Sequence, residues 1–172
     1  TFRKDSIQGD SKVVDLYKKL GVETIFNDTD SSITLRKNGK KVDDFLKFNL
    51  IETPDIAQTI AVTCFGLGIS CELTGLKTLK IKETDRLLAL KIELQKLGAE
   101  ITITDKSLRL KPTKTIAKNI VIDTYQDHRM AMSFAPLYLK APIIIDNPNV
   151  VSKSYKTFWE DLQKIGSKLL IK

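Results

Sequence analysis

Residues Glu93–Thr102 read ELQKLGAEIT, and the same design recurs at Leu16–Ile25, LYKKLGVETI, and at Asp161–Leu170, DLQKIGSKLL. Each copy is an amphipathic helical stretch, then an apolar residue, a glycine and a run suited to a strand. Glycine just past a helix takes the left-handed conformation that turns the chain back into the next element. Gly21, Gly98 and Gly166 therefore mark three equivalent helix-to-strand junctions. In the middle copy Leu87, Leu90, Leu94 and Leu97 recur at helical spacing and predict its buried stripe.

Working outward, a second helix type alternates with the first. Asp55–Gly66 (DIAQTIAVTCFG) and Asp127–Leu139 (DHRMAMSFAPLYL) are apolar on nearly every side after a polar start. Such helices belong inside a core. Pro54 precedes the first, and Pro136 lies late in the second, where it should kink or end it. Strands are predicted at Ser70–Leu73, Glu100–Thr104, Ser107–Lys111, Asn119–Asp123 and Pro142–Asp146, with a tight hairpin at Asp105-Lys106. The order is strand, buried helix, strand, amphipathic helix, strand, strand. About two and a half βαβαββ units follow, predicting an α/β domain with pseudo-threefold symmetry, buried helices and outer sheets. The first copy lacks its front half, and the chain starts at Thr1 rather than Met. Both features read as a piece of a longer protein.

Composition narrows the function classes. The 172 residues are 42% hydrophobic and 28% charged, which argues against intrinsic disorder. No apolar run approaches the roughly 20 residues of a membrane span. Two cysteines and one histidine exclude a disulfide scaffold and a His-rich metal centre. Cys64 and Cys71 sit among apolar neighbours and read as reduced core residues, which suits a reducing compartment. The 28 basic residues outnumber the 21 acidic ones, for a net charge of +7 that favours an anionic partner.

The helix starts carry the functional signal. Lys80–Arg86 (KIKETDR) is predicted to open the middle amphipathic helix, Asp127-His128-Arg129 the second buried helix, and Ser152-Lys153-Ser154 the last amphipathic one. A helix N-terminus is the positive end of its dipole, so Lys82, Arg86, Arg129 and Lys153 are unfavourable there without a bound anion. The bland alternative makes Glu83, Asp85 and Asp127 caps and the cations incidental. Asp55 and Glu83 are acid–base candidates beside these cations, and His128 is either a third or a structural residue. No Ser/His/Asp order, CxxC pair, P-loop or GxGxxG accompanies them.

Lys82-Glu83-Thr84-Asp85-Arg86-Leu87 and Asp127-His128-Arg129-Met130-Ala131-Met132 resemble the two C-terminal signatures of the 5-enolpyruvylshikimate-3-phosphate synthase family. Ser6-Ile7-Gln8-Gly9-Asp10, Pro54-Asp55 and the Lys153 segment match in the same order, so the likeness runs from Ser6 to Gly166. The resemblance implies transfer of the enolpyruvyl group of phosphoenolpyruvate to the 5-hydroxyl of shikimate 3-phosphate, the sixth step of the shikimate pathway. Phosphate leaves from a tetrahedral adduct, and no metal or organic cofactor takes part. It also implies two domains with ligands in the cleft between them. Residues 1–172 would be the C-terminal domain alone, and the N-terminal half its missing partner.

By the same resemblance, Asp55 matches the base for the substrate hydroxyl. Glu83 matches the proton shuttle at the methylene carbon, assisted by Lys153. Lys82 matches a contact to the shikimate phosphate, Arg86, Arg129 and Lys153 the phosphoenolpyruvate clamp, and His128 a histidine beside it. Thr78 and Lys80 depart from the Asn and Arg common in the family, so Thr78 is a substrate-side position of altered chemistry. The implied location is bacterial cytosol rather than plastid, with neither nucleic acid nor membrane as partner. Two rivals are the sister transferase acting on UDP-N-acetylglucosamine and a basic nucleic-acid-binding domain; the latter would need exposed aromatics among its cations.

Overall fold

The computed structural model describes residue 6 and residues 9–168. Its middle third is one complete βαβαββ unit. Strand β3 (Phe45–Asn49) leads through a 3-10 turn (Pro54–Ile56) into α2 (Ala57–Leu67), and β4 (Ser70–Thr74) follows. Helix α3 (Arg86–Lys96) then precedes β5 (Ile101–Ile103) and β6 (Ser107–Leu110). The sheet order is β3-β4-β6-β5. β3 and β4 run parallel, as a helical crossover demands, and the last two strands close antiparallel. Around Asp105-Lys106 the Thr104 N–H donates to the Ser107 carbonyl at 2.9 Å, making the hairpin tight.

The flanking thirds are partial versions of the same unit. Helix α1 (Val13–Lys19) and the hairpin β1 (Val22–Asn27) and β2 (Ser32–Lys37) repeat its second half. β7 (Ile120–Ile122), α4 (His128–Phe134), β8 (Ile143–Ile145) and α5 (Phe158–Lys164) repeat its first half and next helix, with β7 and β8 parallel. The junction glycines adopt one conformation, with φ of +86°, +98° and +103° at Gly21, Gly98 and Gly166. In the second and third copies the N–H after the glycine reaches five residues back, Ala99 to Leu94 and Ser167 to Leu162. Those are Schellman closures that satisfy orphan carbonyls of the helix end. The run expected to continue to Leu170 passes at Leu169 outside the described residues, as do Ile7 and Gln8.

Burial follows the two helix types. Ile60, Ala61, Cys64 and Phe65 of α2 and Met130, Ala131 and Phe134 of α4 are buried, whereas α1 buries no residue and α5 only Leu162. α3 holds its leucine stripe, Leu87, Leu90 and Leu94, against the core. α4 ends at Phe134, and Pro136 lies in the 3-10 turn Ala135–Leu139 that replaces it, because proline lacks the N–H the helix needs. Cys64 and Cys71 are free and buried. The Cys71 thiol is pushed up by its hydrogen bond with Cys64 and by burial. Among the buried polar residues, Gln58 is fully buried, and neither its Oε1 nor its Nε2 has a hydrogen-bond partner among the described residues. No helix among the described residues is long and apolar enough to cross a membrane.

Candidate active site

Three loops, each following a parallel strand, meet at one end of the central unit. The first leaves β3 through Leu50, whose N–H donates to the Thr74 carbonyl at 2.9 Å, and delivers Asp55 within the Pro54–Ile56 turn. The second leaves β4 through Gly75. A Cβ there would stand 2.5 Å from the Ile51 nitrogen, so glycine is what lets the two loops touch.

The helix start predicted within Lys80–Arg86 falls at the last residue of that stretch. Lys77–Ile81 is a 3-10 turn, Lys82 is extended, and α3 begins only at Arg86. The reason is local: Asp85 accepts from the Leu88 N–H at 3.0 Å and fixes the cap there. Lys80 points elsewhere and pairs with Asp105 at 2.6 Å. Thr78 is exposed on the 3-10 turn.

The third loop, between β7 and α4, carries two consecutive non-glycine residues in the left-handed region, Tyr125 at φ +53° and Gln126 at φ +57°. Each costs about 1–3 kcal/mol and persists only where surrounding contacts hold it. Here the Tyr125 hydroxyl donates to Glu93 Oε1 at 2.7 Å. The other Glu93 oxygen accepts from the Asp123 N–H at 3.1 Å and from Lys96 at 2.8 Å. Burial first, then the adjoining Glu93 carboxylate, push the Tyr125 phenol up. Lys96 is raised because Asp123 and Glu93 outweigh its desolvation. The twist sets Asp127 as the cap of α4, accepting from the Arg129 N–H at 2.8 Å.

These loops place three cations and three carboxylates in one cluster. Arg86, only 2% exposed, donates through Nε to Asp127 Oδ2 at 2.6 Å, through Nη1 to Asp55 Oδ1 at 3.0 Å, and through Nη2 to Glu83. Asp127 is wholly buried, so its pairing with Arg86 offsets a large desolvation cost. Asp55 also meets Lys82 at 3.2 Å and Arg129 Nη2 at 3.8 Å, while its backbone carbonyl accepts from Arg129 Nη1 at 3.1 Å. His128 Nδ1 lies 3.9 Å from Asp127 Oδ1, beyond hydrogen-bonding distance.

Asp55, Lys82, Glu83, Arg86 and Arg129 thus come together, with His128 beside them. Lys153 comes from a different element than predicted. It ends the 3-10 turn Pro148–Lys153 instead of opening α5, which starts at Phe158. That turn packs against α4, yet among the described residues the exposed Lys153 makes no ion pair. The residue that sequence reasoning undervalued is Asp127. It reads as a cap, and it is one, but it is also the buried counter-charge of Arg86. The arrangement offers two carboxylates on one guanidinium, both partly open to solvent, flanked by cations able to take an anion in exchange for Glu83.

The family model that matches this chain, over residues 1–162, is EPSP synthase (3-phosphoshikimate 1-carboxyvinyltransferase). A 3-phosphoshikimate 1-carboxyvinyltransferase of Bacteroides fragilis is 45% identical over 166 residues, which cover 95% of this chain and 40% of that protein. One from Neisseria meningitidis is 34% identical, covering 91% and 36%. The chain therefore spans about 40% of the length of the curated relatives it matches. Among solved structures, EPSP synthase from Acinetobacter baumannii superposes with a TM-score of 0.71 at 21% identity, over 90% of this chain and 38% of that one. The enolpyruvyl transferase NikO from Streptomyces tendae gives 0.59 at 17%, over 90% and 34%.

Proposed function

The chain belongs to the EPSP synthase family, and on that premise we propose that residues 1–172 are the C-terminal domain of a two-domain enolpyruvyl transferase. Its reaction joins phosphoenolpyruvate to the 5-hydroxyl of shikimate 3-phosphate and releases phosphate, in the cytosol of a bacterium, and the chain supplies about half of the active site. The reading rests above all on Asp55, a partly exposed carboxylate within 3.8 Å of Lys82, Arg86 and Arg129.

Asp55 takes the proton from the attacking hydroxyl as the oxygen bonds to C2 of phosphoenolpyruvate. Glu83 delivers a proton to C3, giving a tetrahedral adduct, and removes one from the same carbon as the C–O bond to phosphate breaks. Arg86 holds both carboxylates on one planar group, which fixes their separation before substrate arrives. Arg129 and Lys153 take the phosphoenolpyruvate anion, Lys82 the shikimate phosphate, and Thr78 lies on the shikimate side. An anion reaching Arg86 exchanges for Glu83, freeing that carboxylate for proton transfer. His128 flanks the clamp. The chemistry is proton transfer and charge stabilisation throughout, with no role for a metal or organic cofactor.

Calorimetry on the full-length protein tests the substrate class: shikimate 3-phosphate binds and UDP-N-acetylglucosamine does not, and the reverse would overturn the assignment. The isolated 172-residue chain releases no detectable phosphate from the substrate pair. A misplacement of about 1 Å already costs a hundredfold, and here the facing domain is missing altogether. Release near the rate of the full-length enzyme would show that no second domain is needed.

A further inference from the structure

At the end of β3 away from Asp55 lies a cavity of about 390 Å³, within the range of small-molecule sites. Five lysines line it: Lys18 and Lys19 from the last turn of α1, Lys40 and Lys41 from the loop after β2, and Lys47 from β3. Asp43 is the one acidic residue in the lining. The lining draws on Phe45, Leu46 and Lys47 in the first part of β3, whereas the Asp55 loop leaves from the strand's other end.

The charge there is largely uncompensated. Lys18, Lys40 and Lys41 make no ion pair among the described residues. Lys19 lies 5.5 Å from the Phe48 ring centroid, and Lys47 meets Glu72 at 3.7 Å. The negative end of the α1 dipole accounts for Lys18 and Lys19. It does not account for a second Lys-Lys doublet brought to the same cavity from another element. The loop bearing that doublet is anchored: Asn38 donates to the Lys18 carbonyl at 3.1 Å and accepts from the Lys40 N–H at 2.9 Å. A concave site lined by one sign of charge concentrates counter-ions.

We propose that this cavity binds a small molecule carrying a chain of two or more phosphates, at a site separate from the enolpyruvyl transfer site. Two lysine doublets on two elements match two or more anionic groups, and lysine meets phosphate as a point charge without the planar fork that arginine offers carboxylates. A single strand of nucleic acid fits less well. It needs a groove with several exposed aromatics, whereas this cavity has Phe45 alone, and that ring already carries Lys47 at 5.5 Å and Arg109 at 6.0 Å.

The test is calorimetry with tripolyphosphate, adenosine and a 12-nucleotide single strand as probes, on the full-length protein brought beforehand to reaction equilibrium with saturating shikimate 3-phosphate and phosphoenolpyruvate, so that both halves of the transfer site are occupied. Tripolyphosphate binds once per chain and adenosine does not bind. The double variant Lys40→Glu/Lys41→Glu weakens tripolyphosphate at least about tenfold, as expected for reversing two charges at the site. The charge-matched control Lys114→Glu/Lys118→Glu weakens it less than about threefold, through the protein's overall field alone. Equal weakening by both double variants, an absence of tripolyphosphate binding, or tighter binding of the oligonucleotide would overturn the proposal. Both double variants change exposed residues outside the Asp55 cluster, so phosphate release from the enolpyruvyl reaction stays at the wild-type rate.

Discussion

At one end of β3, Lys82, Arg86 and Arg129 are answered by Asp55, Glu83 and Asp127, and Arg86 is sealed from water. At the other end, five lysines share a cavity with one aspartate. The sequence carries a net charge of +7, and the natural expectation is that the excess gathers where an anionic substrate reacts. Within these two regions it lies at the far end instead. Charge at the Asp55 end goes into position, with each cation paired to a carboxylate. Charge at the other end is mostly unpaired, with Lys18, Lys40 and Lys41 in no ion pair among the described residues.

The largest effect expected from this contrast is on stability. Arg86→Ala leaves Asp127 buried without a counter-charge, so unfolding of the 172-residue chain in urea should show a loss of about 3–5 kcal/mol. Lys41→Ala at the opposite end should change it by less than about 0.5 kcal/mol, as for an ordinary surface site. Comparable losses in the two variants would erase the contrast.

The same reasoning extends to a buried polar group with no partner at all. Gln58 is as deeply buried as Asp127 but lacks its compensation. Gln58→Met, close in volume, should stabilise the chain by about 1–3 kcal/mol in the same assay. A destabilised variant would mean that the amide is satisfied in solution.

The smallest effect concerns a surface carboxylate. The Asp161 carboxyl is lowered from 3.8 to about 2 by its hydrogen bonds with Lys164, Thr157 and Tyr155. Its folded value lies below the unfolded one, so its contribution is complete above about pH 4 and is lost as pH falls through about 2. Hydrogen exchange along α5 should accelerate across that window in the wild type, with the step absent from Asp161→Asn. An identical step in the variant would assign it to another carboxylate.

The fold was legible because its signals are local. A glycine after a helix, an alternating run or a proline in a helical pattern each depends on a few neighbours, and β4, β5, β6, β7 and β8 lie within a residue of their predicted ends. Helix starts were harder to read. KIKETDR contains two acids able to cap, and Asp85, rather than Glu83, closes the cap. The start of α5 moved past Lys153 because Pro148 begins a separate 3-10 turn that absorbs it. β3 was implied by the repeat but not delimited, since its exposed positions Lys47 and Asn49 dilute the apolar alternation of Leu46 and Phe48. The site was legible as residue types and hidden as pairings. Nothing in the spacing of Arg86 and Asp127 announces that they touch, because tertiary packing of two units makes that contact. Tyr125 and Gln126 carry no backbone signal either; glycine or asparagine would have been the recognisable residues at positive φ.

The central claim is that Asp55 and Glu83, positioned by Arg86 until an anion displaces Glu83 from it, perform the proton transfers of enolpyruvyl transfer. The most direct measurement is steady-state phosphate release from shikimate 3-phosphate and phosphoenolpyruvate by the full-length enzyme and its Asp55→Ala and Glu83→Ala variants. The account predicts that kcat falls about 10²–10⁴-fold in each variant, the usual worth of a positioned acid or base. Turnover within a few fold of wild type in both variants would contradict it.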